Sequence, residues 1–213
     1  VSQGTYYENI QIKGKNIILR SIDPTDPEVV AATVINANRI GSSVTFSGTE
    51  ISCILSGFTI TNGKSENGGG ILGNKTLAAI QYNIIEKNEA SDDGGGIYSC
   101  WGLIQNNTIT ANSATDSGGG LNNCDGLIRN NNIMDNMADT GGGLSDCDGI
   151  IQNNIVKDNS ASYGGGIRNC DGTIQNNNIT SNSAVSSGGG ISSSYGPIRN
   201  NKIVRNLAGT YGG

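Results

Sequence analysis

The chain has 213 residues with 13 Lys and Arg against 18 Asp and Glu, a net charge of −5 with the two signs interspersed, so no basic stripe exists to neutralise a phosphate backbone and nucleic acid is excluded as a partner. No run approaches the roughly 18 apolar residues a membrane-spanning helix needs, so no membrane span is expected. With 33 Gly, 2 Phe, 1 Trp and 15% charged residues, a large aromatic core and charged disorder are both excluded; yet 35% of the chain is hydrophobic, which predicts a folded but thin structure.

The chain opens at Val1 with neither an initiator Met nor a charged-then-apolar leader, and it stops inside a repeat at Tyr211-Gly212-Gly213. The expectation is a processed form or a piece of a longer protein. Short apolar runs at 10–12, 17–19, 34–35, 44–46 and 51–60 read as strands of two or three irregular coils. Asp23-Pro24-Thr25-Asp26-Pro27 reads as a loop inserted among them. Glu8 and Arg20 are charged residues expected on the surface.

From residue 66 the chain repeats. Gly-Gly-Gly begins at Gly68, Gly94, Gly118, Gly141, Gly164 and Gly188, and Gly212 opens a seventh turn, at intervals of 26, 24, 23, 23, 24 and 24. Three apolar columns come into register on the triplets: Ile71, Ile97, Leu121, Leu144, Ile167, Ile191; then Ile80, Ile104, Ile128, Ile151, Ile174, Ile198; then Ile85, Ile109, Ile133, Val156, Ile179, Ile203. Mostly β-branched and set in short polar-flanked segments, they predict half-buried strands rather than a helical stripe. The prediction is an all-β, right-handed parallel β-helix with three short strands per coil of about 23–26 residues. It runs as one continuous solenoid over 1–213, irregular over 1–65 and regular over 66–213. Each coil buries too little by itself to offset its ordering entropy, so stability must come from stacking on its neighbours.

Two Asn columns flank the strands: Asn83, Asn107, Asn131, Asn154, Asn177, Asn201, and Asn88, Asn112, Asn136, Asn159, Asn182, Asn206. They are expected at corners, in left-handed backbone, with amides hydrogen-bonding along the stack. An Ala column (Ala90, Ala114, Ala138, Ala161, Ala184, Ala208) fits an inward position at a tight corner, and the Gly triplet permits positive φ at the third bend.

Cys124-Asp125-Gly126, Cys147-Asp148-Gly149 and Cys170-Asp171-Gly172 repeat in successive coils, with Cys100-Trp101-Gly102 in the same register. Stacked cysteines one coil apart lie within disulfide reach, so Cys100 with Cys124 and Cys147 with Cys170 is one reading; a ladder of small buried thiols is the other. Ligands in a line, with no His, disfavour zinc. Asp125, Asp148 and Asp171 stack like charges, which either face water as ordinary Asp-Gly turns or share Ca²⁺, with Asp92, Asp93, Asp116 and Asp139 close enough in sequence to supplement such a site. The outward column Thr110, Met134, Lys157, Thr180, Val204 lacks the regular Thr array of an ice-binding face.

Gly4-Thr5-Tyr6-Tyr7-Glu8-Asn9-Ile10 resembles the opening of secreted bacterial pectin-lyase-like β-helices and is similar to the start of pectin methylesterases. The unit I-x-x-N-x-A followed by G-G-G-[IL], as in 109–121 and 179–191, resembles the paired motifs of polymorphic outer-membrane proteins, with Ile or Val here where that family has Phe. These resemblances imply a parallel β-helix in a secreted or cell-surface protein. Enzymes of that fold use Arg or Lys with Ca²⁺, Asp pairs or His-containing sites; this chain has no His, and its repeats are too uniform to single out a catalytic coil. The expected function is therefore a structural or adhesive surface module that contacts surface glycans or its own copies head to tail. A polysaccharide-binding or polysaccharide-degrading β-helix is the alternative.

Overall fold

The computed structural model describes residues 1–212. Parallel strands stack into a β-solenoid of about seven turns with about 24 residues per coil, in four sheets of nine, eight, eight and seven strands. One regular coil illustrates the path. Ile97–Cys100, Ile104–Gln105, Thr108–Thr110 and Ser113–Ala114 follow one another in sequence, and each pairs in parallel with its counterpart in the coils before and after.

The three apolar columns form continuous interior ladders as far as Ile167, Ile174 and Ile179, while in the following coil Ile191 is half-buried and Ile198 and Ile203 are exposed. Ile97 faces Ile71 and Leu121, Ile104 faces Ile80 and Ile128, and Ile109 faces Ile85 and Ile133, all sealed from solvent. The Ala column adds a fourth, shorter ladder to the expected three, since Ala90 pairs with Ala114 and Ala138 pairs with Ala161. Ala90, Ala114 and Ala138 pack as a small cluster of their own, separate from the main interior.

The turns fall one residue away from where the sequence places them. The left-handed backbone belongs to Asn106, Asn130, Asn153, Asn176 and Asn200, with φ between 54° and 57°, each immediately before the laddered Asn. At the second corner it belongs to Lys87, Ala111, Asp135, Asp158, Ser181 and Arg205. The laddered Asn itself turns inward, because only there can its amide reach the coils on both sides.

The triple glycine answers two demands. Gly94 has φ +65°, whereas a Cβ on Gly95 would lie 2.4 Å from the Ser113 carbonyl oxygen and one on Gly96 would lie 2.6 Å from that of Gly120. The first bends the chain and the other two let coils touch backbone to backbone.

In the irregular region the segment after Ile18–Arg20 leaves the stack and returns through a short helix, Pro27–Ala32, before Thr33–Asn36 rejoins the sheet. The helix was not foreseen, although its signal stands in the sequence: Asp26 caps it by accepting the Glu28 N–H at 2.9 Å, and Pro27 occupies the first turn. Val29 and Val30 are buried, and Thr59 Oγ1 donates to the Val30 carbonyl at 3.0 Å. Gly57, with φ +80°, lets Pro24 lie against the coil, since a Cβ there would meet Pro24 Cα at 2.5 Å.

Candidate functional site

Most polar side chains that the repeat brings together are consumed by the stack. Asn107 donates from Nδ2 to the Ile80 carbonyl at 2.9 Å and to Asn131 Oδ1 at 3.0 Å, while its own Oδ1 accepts the Asn83 N–H at 2.9 Å. Asn131, Asn154 and Asn177 repeat the pattern up to Asn201, and a second ladder runs from Asn88 to Asn206. With both amide atoms satisfied inside the wall, these residues hold coils together and offer nothing to a ligand.

Cys100, Cys124, Cys147 and Cys170 form an interior column, and like Cys53 they are free and buried. The Cys124 N–H points at Cys147 Sγ (3.4 Å) and the Cys147 N–H at Cys170 Sγ (3.3 Å), while each of these thiols donates to a carbonyl two residues earlier. Burial, reinforced by neighbouring thiols, pushes Cys100 and Cys147 well above the ordinary thiol range, so neither is a nucleophile.

The column continues past Cys100 through Thr76 to Glu50. Glu50 is completely buried and accepts from the backbone of Gly14, Ser47 and Gly48, from Ser47 Oγ and from Thr76 Oγ1, at 2.9 to 3.1 Å. Burial opposes its charge, but the converging donors, Ser47 foremost, overcome it and hold the carboxyl at about 2. Its partners lie in irregular coils where no triplet sets the alignment, so sequence reading had no means of finding it.

Asp125, Asp148 and Asp171 line up on the outside. Asp125 Oδ1 accepts the Asp148 N–H at 3.1 Å, Asp148 Oδ1 the Asp171 N–H at 2.8 Å, and Asp171 Oδ1 the Tyr195 N–H at 2.9 Å. Each carboxylate thus clamps the next coil at the Asp-Gly turn. The acidic group drawn together among the described residues is a different one, Asp92, Asp93 and Asp116, whose oxygens can lie within 4.8 Å of one another. Hard oxygen ligands of this kind suit Ca²⁺. Burial, then the charges of Asp92 and Asp116, raise Asp93 to about 6 against a hydrogen bond from the Ser117 N–H.

Glu8 and Arg20 are exposed and are not members of that grouping. The column Thr110, Met134, Lys157, Thr180, Val204 faces outward in strict register. No helix among the described residues is long and apolar enough to cross a membrane. No family model, curated protein or solved structure matches the chain.

Proposed function

We propose that this chain is a structural or adhesive module, a stiff rod of a secreted or cell-surface protein whose long faces meet surface glycans or other copies of itself. The observation that carries the reading is the double Asn ladder: the repeat invests its buried polar groups in coil-to-coil bonds, which fixes the rise from turn to turn and leaves the outward side chains free to vary on a regular frame. A frame that repeats at a spacing of about 4.8 Å suits repetitive partners. Near-identical coils also make a head-to-tail contact between copies geometrically easy, and such a contact propagates rather than closes. The test is retention of the protein on films of neutral and acidic polysaccharides, with light scattering for self-association. Retention or concentration-dependent growth without product release supports the module. Failure on every film together with a monomer at all concentrations refutes it.

A second reading, a polysaccharide-degrading β-helix, draws on Asp93, whose raised pKa beside two further carboxylates is the kind of perturbation found in acid–base catalysts. Release of reducing ends or unsaturated products from pectate or alginate with Ca²⁺, abolished in Asp93→Asn, would install this reading in place of the first.

A further inference from the structure

In the left-handed column Tyr82, Asn106, Asn130, Asn153, Asn176, Asn200, five members are Asn, the non-glycine residue that best tolerates this backbone, and the sixth is Tyr82 at φ 55°. A bulky side chain in this conformation is an outlier. Tyr82 stands where the 23–32 excursion leans over the solenoid, and there it lines a groove of about 180 Å³ with Pro24, Thr25, Pro27, Asn106 and Thr108.

We propose that this groove is the docking subsite for one ring of a neutral glycan chain. The inference rests on the adhesive reading above and names where and what it binds. Three ring faces, Tyr82, Pro24 and Pro27, give flat C–H and π surface of the kind on which the apolar face of a pyranose packs. The Tyr82 hydroxyl, the Asn106 amide and the Thr108 hydroxyl have no hydrogen-bond partner among the described residues and are not sealed from solvent, which leaves them for sugar hydroxyls. The volume is below the ~300–1,000 Å³ of pockets that enclose a drug-sized ligand, so the groove holds a single ring of a chain that continues outside it.

Charge sets the class. No charged side chain lines the groove, and Asp23 and Asp26 lie on the excursion that forms its rim in a chain of net charge −5, so an anionic saccharide is repelled. The Asn column sets the direction. From Asn106 it runs along the rod through Asn130, Asn153, Asn176 and Asn200, the last four exposed, one amide per coil. The inter-coil rise of about 4.8 Å is close to the length of one sugar residue in an extended chain.

The test is calorimetric titration of the whole chain with cellotetraose, mannotetraose and xylotetraose, and with tetragalacturonate as the anionic control. At least one neutral tetrasaccharide should bind. Tyr82→Asn, which installs the residue the column otherwise carries, should raise Tm and still weaken binding about tenfold or more, while Tyr82→Phe keeps most of the affinity. A merely structural Tyr82 would not separate stability from binding in this way. Equal affinity in Tyr82→Asn, or a preference for tetragalacturonate, overturns the subsite. Should polysaccharide films retain the parent and Tyr82→Asn alike, the subsite falls while the adhesive reading stands; should no film retain either, the subsite falls, and the module reading falls with it if the protein also stays monomeric at all concentrations.

Discussion

Replacing Asn131 by Asp isolates the energetic role of the ladder, because it exchanges one atom of a side chain that is 1% exposed. The Oδ1 position keeps the two bonds it accepts, from the Asn107 N–H at 2.9 Å and from Asn107 Nδ2 at 3.0 Å. The Nδ2 position loses the two it donates, to the Ile104 carbonyl at 2.9 Å and to Asn154 Oδ1 at 3.1 Å, and turns an acceptor toward two acceptors. An ionised carboxyl there is buried without a cation, so the folded protein protonates it. Holding an Asp of ordinary pKa ~3.9 protonated at pH 7 costs ~4 kcal/mol, at ~1.4 kcal/mol per pH unit. Protonated, the group donates once where the amide donated twice, a residual loss of ~1 kcal/mol. The folded pKa is raised, so the folded state binds the extra proton and the penalty grows as pH rises from about 4. Urea unfolding of parent and variant at constant ionic strength should differ by about 1 kcal/mol at pH 4 and about 4 to 5 kcal/mol at pH 7. Asn130→Asp, at the exposed left-handed position next door, should stay within about 0.5 kcal/mol. A difference that does not change with pH, or one below ~1 kcal/mol at pH 7, refutes the inward amide ladder.

Ala111→Gly should raise stability by about 0.5 to 1 kcal/mol in the same assay, because Ala111 holds φ 53° at an exposed corner, and an unchanged or lower midpoint refutes the strain argument. Glu50→Gln should lower stability at pH 7, where the buried carboxylate collects its donors. Its folded pKa is depressed from 4.5 to about 2, so the parent loses this contribution as pH falls through that window, and the variant's midpoint should be flatter there. Thiol titration without reductant should find Cys53, Cys100, Cys124, Cys147 and Cys170 silent in the native protein and all five reactive on unfolding; fewer equivalents after unfolding would mean disulfides.

The sequence by itself determined the solenoid, because a repeat locked to Gly triplets forces every coil into the same conformation and three β-branched columns at constant offsets leave one interior to share. It also identified the laddered Asn and the stacked Cys by position. It could not say which of two adjacent Asn turns the chain, since both are Asn and only the inward bonds of Asn107 against the left-handed φ of Asn106 tell them apart. Nor could it rank the aspartates: in one dimension Asp125, Asp148 and Asp171 read either as Asp-Gly turns or as a cation column, and in the fold each accepts a backbone N–H of the next coil, while the acids whose oxygens lie together are Asp92, Asp93 and Asp116. Glu50 and Tyr82 were decided by tertiary structure alone. Both face partners from the irregular N-terminal segment, and what brings Ser47 to one and Pro24 to the other is the fold-back of coils that share no repeat. Periodicity propagates information along a repeat, and it carries none across a segment that breaks the period.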